Sequence, residues 1–524
     1  MTSLGINAIL QGQDLLRDVD DSADVCVIGS GCGGAAVACS LAERGWRVIV
    51  VEQGGYYTAA DFDQREVNML AKIDGGRGLD TSVDGGISLT YGHNVGGASV
   101  HYWADSYRTP HDRLALWQTR FGMQGHSPEV LAPHFERVER DLNVHVVSDE
   151  GYVNRMNALV RDGAHKLGWR TAPVPQARRG CVRSGFCMQG CAYDAKQSQL
   201  VTYIPRAIAA GATLYADTRA ERFVSTGRSL SGTIQSLECR VLDRATGKPT
   251  ANKVRIRARA FVVAAGGYGT PELLLRQGLK ERLPHTGEHF FCNPCPMLHA
   301  LFDEDIIQWR NIPAAFGVEH FRLATVADDG AYVEGGYLLM PNQLHPAMLA
   351  ATLLLPPMRQ HEVMRALPRL GGTIAWIDDA DEGKISLEGD RRRVFVPLDG
   401  QNGLRIRDAW KKQAQLLFAA GAREVFFGDV HDLRIQSSAD VDNVVTRADI
   451  RPGRNILAAP HPGGGTRMGA DAATSVTGFD HRVHGTDNLY VADPSVLPTP
   501  PSVDPSLTIL AFSLIAADVL HDRL

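Results

Sequence analysis

Residues 24–28 form a short, almost unbroken apolar run dominated by β-branched side chains. Apolar positions without alternation mark a strand buried on both faces of a parallel sheet. Glycines 29, 31, 33 and 34 follow at once, and 35–44 reads as a helix ended by Gly45. Residues 47–51 are a second buried strand, closing on Glu52. The same pattern returns at 261–265, before more glycines, and at 489–492, which ends on Asp493. Between these, at 330–430, the period changes. Alternating runs such as 384–388 and 393–396, bounded by turn residues, predict an antiparallel sheet. Residues 408–421 predict a helix stopped by Gly421. Residues 507–520 predict a last helix, with Asp504 as N-cap and Pro505 as first helical residue. Near the start, Ile9, Leu15 and Leu16 predict a short helix packed on the body.

Composition narrows this picture. With 44% apolar and 22% charged residues the chain is neither disordered nor collagen-like. A net charge of −5 argues against nucleic acid as the main partner. No apolar run matches a membrane-spanning helix: 347–355 stops at Pro356, and 507–520 carries Thr508, Ser513 and Asp518. Residues 1–24 lack a basic start and a long apolar stretch, and Asp14, Asp18, Asp20 and Asp21 interrupt them, so the expected setting is cytoplasmic. The nine scattered cysteines fit a reducing compartment.

The first candidate chemistry lies in the initial strand–helix–strand unit. Gly29 makes the tight turn, Gly31 lets backbone approach a pyrophosphate, and Gly34 lets helix and strand pack closely, with Gly33 between them. The helix N-terminus offers free N–H groups and a positive dipole end to phosphates. Glu52 suits the ribose hydroxyls and disfavours a 2′-phosphate, which leaves FAD or NAD but not NADP.

Four further stretches discriminate. They are 91–104 (YGHNVGGASVHYWA), 264–274 (AAGGYGTPELL), 461–469 (HPGGGTRMG) and 488–509, which contains Asp493 and Asp504-Pro505. With the N-terminal unit they resemble the glucose–methanol–choline family of FAD-dependent oxidoreductases. The likeness is strongest to its long-chain alcohol oxidase, cholesterol oxidase and sugar dehydrogenase branches. The resemblance covers essentially the whole chain, and 285–450 matches only in general pattern. It implies an α/β FAD-binding Rossmann-like domain, discontinuous in sequence, plus an α+β substrate domain with an antiparallel sheet. The expected bounds are 21–285 with 455–524 for FAD, including an inserted segment at about 105–200. Residues 286–454 would bind substrate, and 1–20 would be an extension. Gly97, Ser99, His101, Asp493 and Pro505 join the cofactor-binding set on this basis.

The resemblance also implies alcohol oxidation, in which hydride leaves the carbinol carbon for flavin N5 and a base takes the hydroxyl proton. His461 stands where the family places that base, and a neutral imidazole suits the task. Where relatives carry Asn or His, this chain has Asp504. Asp504 is a protonated acid, a second base paired with His461, or simply the cap of the last helix. In some pyranose-oxidising relatives a His at the position of His101 is joined covalently to FAD. Here the neighbours Tyr102 and Trp103 make the match partial, and both a covalent and a non-covalent role stay open.

Cys181, Cys187 and Cys191 crowd into eleven residues. Their spacing resembles that of cluster-bearing sugar dehydrogenases of the family, which implies an iron–sulfur relay. Ser184 stands where a fourth Cys would complete the run, and zinc lacks a fourth ligand, so buried thiols or a disulfide are the alternative. The Leu- and Met-rich stretch 337–366 suits an adaptable apolar pocket, or core. The function expected is therefore oxidation of a bulky apolar or amphipathic alcohol, with oxygen or another electron acceptor. A sugar oxidase or dehydrogenase feeding a partner is the first alternative. A non-redox FAD lyase of the same fold is the second.

Overall fold

A computed structural model describes residues 8–147 and 150–524. The first apolar run is part of a longer strand, Val19–Ile28, and it lies at the centre of an eight-stranded sheet. Val48–Val51 pairs parallel to one side of it, with Val25 opposite Val48. Pro249–Val263 pairs parallel to the other, with Val263 opposite Ile28. Leu489–Val491 pairs parallel to Pro249–Val263, again ending in register, Val263 opposite Val491. Residues 25–28, 48–51, 260–263 and 489–491 of these strands are buried, as unbroken apolar runs between two covered faces require. Thr213–Tyr215 extends the sheet beyond Val48–Val51, and Ile234–Leu242 and Thr218–Ser225 add an antiparallel edge on the other side.

The N-terminal segment differs from the sequence expectation. Ile9–Leu10 is a short strand paired parallel to Thr213–Tyr215, not a helix. Two β-competent residues beside an open sheet edge gain ladder hydrogen bonds that an isolated short helix cannot match. Leu15 is buried and Leu16 is exposed.

A second sheet is wholly antiparallel. Its order is Arg434–Ile435, Glu424–Phe426, Met297–Leu301, Leu370–Ile377, Tyr337–Pro341, Phe316–Val318 and Thr171–Pro173. Its last strand, Thr171–Pro173, comes from the first half of the chain. The alternating runs that announced this sheet are not in it. Lys384–Glu388 and Arg391–Phe395 pair with each other as a separate hairpin, because a turn at Gly389 joins them directly. The sheet strands proper are almost continuously apolar and carry no alternation to read. The helix predicted at 408–421 is Gln401–Ala419, packed on the second core through Trp410 and Leu417. Its first turn was hidden by Gly403.

The last helix, Ser506–Arg523, packs on both Cys32–Glu43 and Pro128–Asp141 within the core of the first sheet. Among the described residues no helix is long and apolar enough to cross a membrane.

Candidate active site

Three of the parallel strands end in register, so the loops that follow them are forced together. A Cβ on Gly29 would lie 2.2 Å from the Ala264 carbonyl oxygen, and one on Gly33 would lie 1.8 Å from that of Ala492. One on Gly34 would strike the Gly29 carbonyl oxygen at 1.9 Å. Gly33 and Gly34 are thus required by packing. Gly31 is different. Its missing Cβ faces open space, bounded only by Gly97 at 3.8 Å, and Gly97 itself has φ +57°. Two glycines from distant segments leave a bare backbone cradle at the N-terminus of Cys32–Glu43.

Glu52 holds that loop from behind. Its Oε2 accepts from the Ser30 N–H (3.0 Å) and hydroxyl (2.7 Å), and its Oε1 from the Gly54 N–H (2.8 Å). Burial raises its pKa. Ser30 Oγ in turn accepts from the Gly96 N–H, which joins the loop to the turn Gly97–Val100. Ser99 Oγ donates to the Gly96 carbonyl and accepts from the Gln199 N–H. Asp493 is heavily engaged: it accepts from Gly266 N–H, Thr270 Oγ1, Ser495 N–H and Ser495 Oγ. It ties the end of Leu489–Val491 to the N-terminus of Gly266–Arg276 and caps the turn Pro494–Val496.

His461 follows the short strand Leu457–Ala459, and Asp504 precedes Ser506–Arg523. The fold brings them together, with His461 Nε2 3.3 Å from Asp504 Oδ2 and both side chains buried. The His461 backbone N–H donates to the Cys292 carbonyl, and Trp376 meets the imidazole edge-on with centroids 4.9 Å apart. A Cβ on Gly267 would lie 2.2 Å from the Pro462 carbonyl oxygen, so the His461 loop is pressed onto the N-terminus of Gly266–Arg276. Asp504 Oδ1 accepts from the Ser506 N–H at 2.9 Å. The helix begins one residue later than the sequence implied. Pro505 occupies the N-cap position, and Asp504 caps from just outside it.

Sequence reasoning missed the adjacent pair Asp378 and Asp379, which follows the buried strand Leu370–Ile377. Asp378 accepts from Arg113 and from Ser502 Oγ (2.9 Å), fixing the turn that carries Asp504. Asp379 accepts from the Asn293 N–H (2.7 Å) and the Cys292 N–H (3.4 Å), fixing the segment bonded to His461. Its carboxyl is pushed up to about 7 by burial. Both acids stand at a strand end, the placement that flagged Glu52, and that was the available signal.

The residues fit a large polar cofactor beside the dyad. Among the described residues, Asn94 Oδ1, His101 Nε2, both amide atoms of Gln199 and His461 Nδ1 are buried without a hydrogen-bond partner. Unpaired buried polar groups are costly, and a bound ligand would satisfy them. Burial and the Lys196 ammonium hold His101 neutral, with its pKa pushed down to about 3.

The structure does not support an iron–sulfur cluster. Among the described residues no group of three His, Cys, Asp or Glu could hold a metal ion. The Arg178 guanidinium stands against Cys181 and Cys187 instead, a cation where the metal would be.

Family models described as GMC oxidoreductase match residues 48–295 and, for a C-terminal counterpart, 396–513. A GMC-type oxidoreductase of Mycobacterium tuberculosis is 31% identical over 503 residues, covering 95% of this chain and 75% of the relative. A long-chain-alcohol oxidase of Arabidopsis thaliana is 26% identical over 542 residues, covering 98% of this chain and 70% of the relative. Among solved structures, pyridoxine 4-oxidase from Mesorbium loti superposes with a TM-score of 0.69 at 19% identity, covering 95% of this chain and 99% of that one.

Proposed function

The chain belongs to the GMC oxidoreductase family of FAD-dependent oxidoreductases, and from that premise we propose that it oxidises a bulky apolar or amphipathic alcohol to the carbonyl. The observation that carries this reading is the buried pair of His461 Nε2 and Asp504 Oδ2, 3.3 Å apart. The residues that would hold FAD are the Gly29–Gly34 loop, Glu52 through Ser30, Gly97, Ser99, His101 and the strand end at Asp493, with Pro505 and its helix beyond. When bound, FAD supplies the acceptor for the hydride leaving the carbinol carbon.

His461 Nε2 takes the hydroxyl proton. Asp504 Oδ2, 3.3 Å from Nε2, stabilises the imidazolium by its charge. Trp376 packs edge-on against the imidazole and the Cys292 carbonyl holds the His461 backbone N–H, so little reorganisation accompanies the transfer. Burial of both side chains excludes water from the proton's path.

The substrate class is supported by the third apolar cluster. It joins Val503, next to Asp504, and Trp376, on His461, to Leu338, Met340, Leu349 and Leu355. Trp103 and Met348 pack against it. Apolar side chains beside the dyad favour hydrocarbon and offer few groups to satisfy a sugar's hydroxyls.

The test is anaerobic bleaching of the bound flavin by a panel of alcohols and sugars. Long-chain or polycyclic alcohols are expected to bleach it and sugars to leave it oxidised. His461→Ala is expected to slow bleaching about 10²- to 10⁴-fold. Undiminished bleaching in that variant overturns the assignment of the base. Oxygen consumption set against dye reduction then identifies the electron acceptor.

A further inference from the structure

The cysteine-rich loop is not absorbed by the chemistry above. Arg178 lies just before it, buried to 3% exposure. Its Nη1 reaches Cys187 Sγ at 3.4 Å and Cys181 Sγ at 3.9 Å, so one nitrogen faces both sulfurs. Its Nε donates to Gln176 Oε1 and its Nη2 to the Trp103 carbonyl. Lys196, also buried, completes the arrangement. Its Nζ donates to the carbonyls of Val100 (2.6 Å), Tyr102 (2.9 Å) and Cys187 (2.5 Å). The backbone of 100–103, which carries His101, is therefore held by two buried cations that both also contact the cysteine loop.

We propose that Cys181 and Cys187 form a reversible thiol–disulfide pair that controls the position of segment 100–103. Both sulfurs converge on Arg178, whose guanidinium supplies the positive field in which thiol–disulfide exchange proceeds. No helix or strand spans 178–186, so the loop can shorten the gap to the bonded length of about 2.05 Å. Cys181 is part-exposed and Cys187 is buried, which sets the order of events. Cys181 attacks a small-molecule disulfide, forming a mixed disulfide and releasing one thiol. Cys187 then attacks the Cys181 sulfur, closing the protein disulfide and releasing the second thiol. The two cysteines lose two electrons, the external disulfide gains them, and both cysteine protons end on the released thiols. Closure draws Cys187 from Arg178 Nη1 and moves the carbonyl on Lys196, so segment 100–103 shifts.

The effect on turnover rests on the reading of 100–103 as part of the FAD site, but the cross-link does not. The holoenzyme is incubated with oxidised glutathione and digested with trypsin without reduction. Cleavage after Arg179, Arg183 and Lys196 separates Cys181 (180–183) from Cys187 (184–196). The expected product joins these two peptides, lighter by two hydrogens, with fragmentation placing the bond on Cys187 and dithiothreitol undoing it. The absorbance of the bound flavin is expected to shift, and turnover to fall about 10- to 100-fold, the scale of a displacement of about 1 Å near reacting atoms. Cys181→Ser is expected to keep the unoxidised turnover and to resist glutathione, and Cys181→Ala serves if the serine variant does not fold. Peptide 180–183 recovered as a free thiol, as a glutathione adduct or linked to Cys191 overturns the proposal. So does equal inhibition of the Cys181 variant. If no alcohol bleaches the flavin, the proposed function fails, while the cross-link and the spectral shift still decide this pair.

Discussion

Asp504 serves two bonds with its two oxygens. Oδ1 accepts from the Ser506 N–H at the start of the last helix, and Oδ2 faces His461 Nε2. Asp504→Asn separates these jobs. An amide oxygen caps as well as a carboxylate, so Tm is expected to stay near that of the parent. The amide carries no negative charge to set against an imidazolium, and a charge-assisted interaction is worth about 1.5–3 kcal/mol, roughly 10- to 100-fold in rate. Steady-state kinetics across pH tests this, and unchanged turnover would reduce Asp504 to a cap. Behind the dyad, Asp378 binds Arg113 and Ser502 in a part-buried network. Asp378→Ala strands the Arg113 charge and is expected to cost about 3–5 kcal/mol of stability, read by denaturant unfolding. His461 was legible because its glycine-rich surroundings are local. Asp378 was not, because its partners lie 124 and 265 residues away.

Among the elements, the helix Cys32–Glu43 is tightly confined at its first turn. Its first turn is pressed against the end of Leu489–Val491, a strand from the other end of the chain. Gly33→Ala puts a methyl 1.8 Å from the Ala492 carbonyl oxygen, where only backbone can yield. The expected cost is about 1–3 kcal/mol or more, together with weaker retention of FAD. Gly125→Ala, whose Cβ meets nothing within 4 Å, is expected to be neutral to about 0.5 kcal/mol. Differential scanning fluorimetry with and without added FAD compares the two. Equal behaviour would mean that the loop relaxes. The fingerprint glycines were visible as a motif, but the sequence attributes them to cofactor and helix packing. The tertiary structure adds that Gly33 answers to a residue 459 positions later. The hairpin 384–395 carries the opposite lesson, since alternation marked solvent-facing strands while the central sheet strands were simply apolar.

At the scale of the molecule, burial of histidines sets an acid limit. His299 and His481 are pushed down to about 4, and His101 to about 3, chiefly by loss of water. Each has a folded pKa below its unfolded value near 6.5. The stability each provides is therefore full above about pH 6.5 and is lost as pH falls towards its folded value. Asp379, raised to about 7, acts in the opposite sense, because its ionisation is resisted as pH rises from about 4. His481 donates from Nδ1 to the Val491 carbonyl and meets His126 at Nε2. His481→Asn cannot take up a proton, so the gap in Tm between parent and variant is expected to narrow from pH 6.5 to 4. A constant gap would remove His481 from the acid limb.

The sequence by itself determined the nucleotide-binding unit, the parallel core strands, the His461 motif and the family, because these depend on local period and on short spacings. It also placed Asp504 at a helix start, where capping chemistry is local. Only the tertiary structure decided that Asp504 meets His461, that Gly31 and Gly97 bound one cradle, and that the cysteine loop faces a guanidinium rather than a metal. Those outcomes rest on strand register and on contacts between segments hundreds of residues apart, which no local pattern encodes.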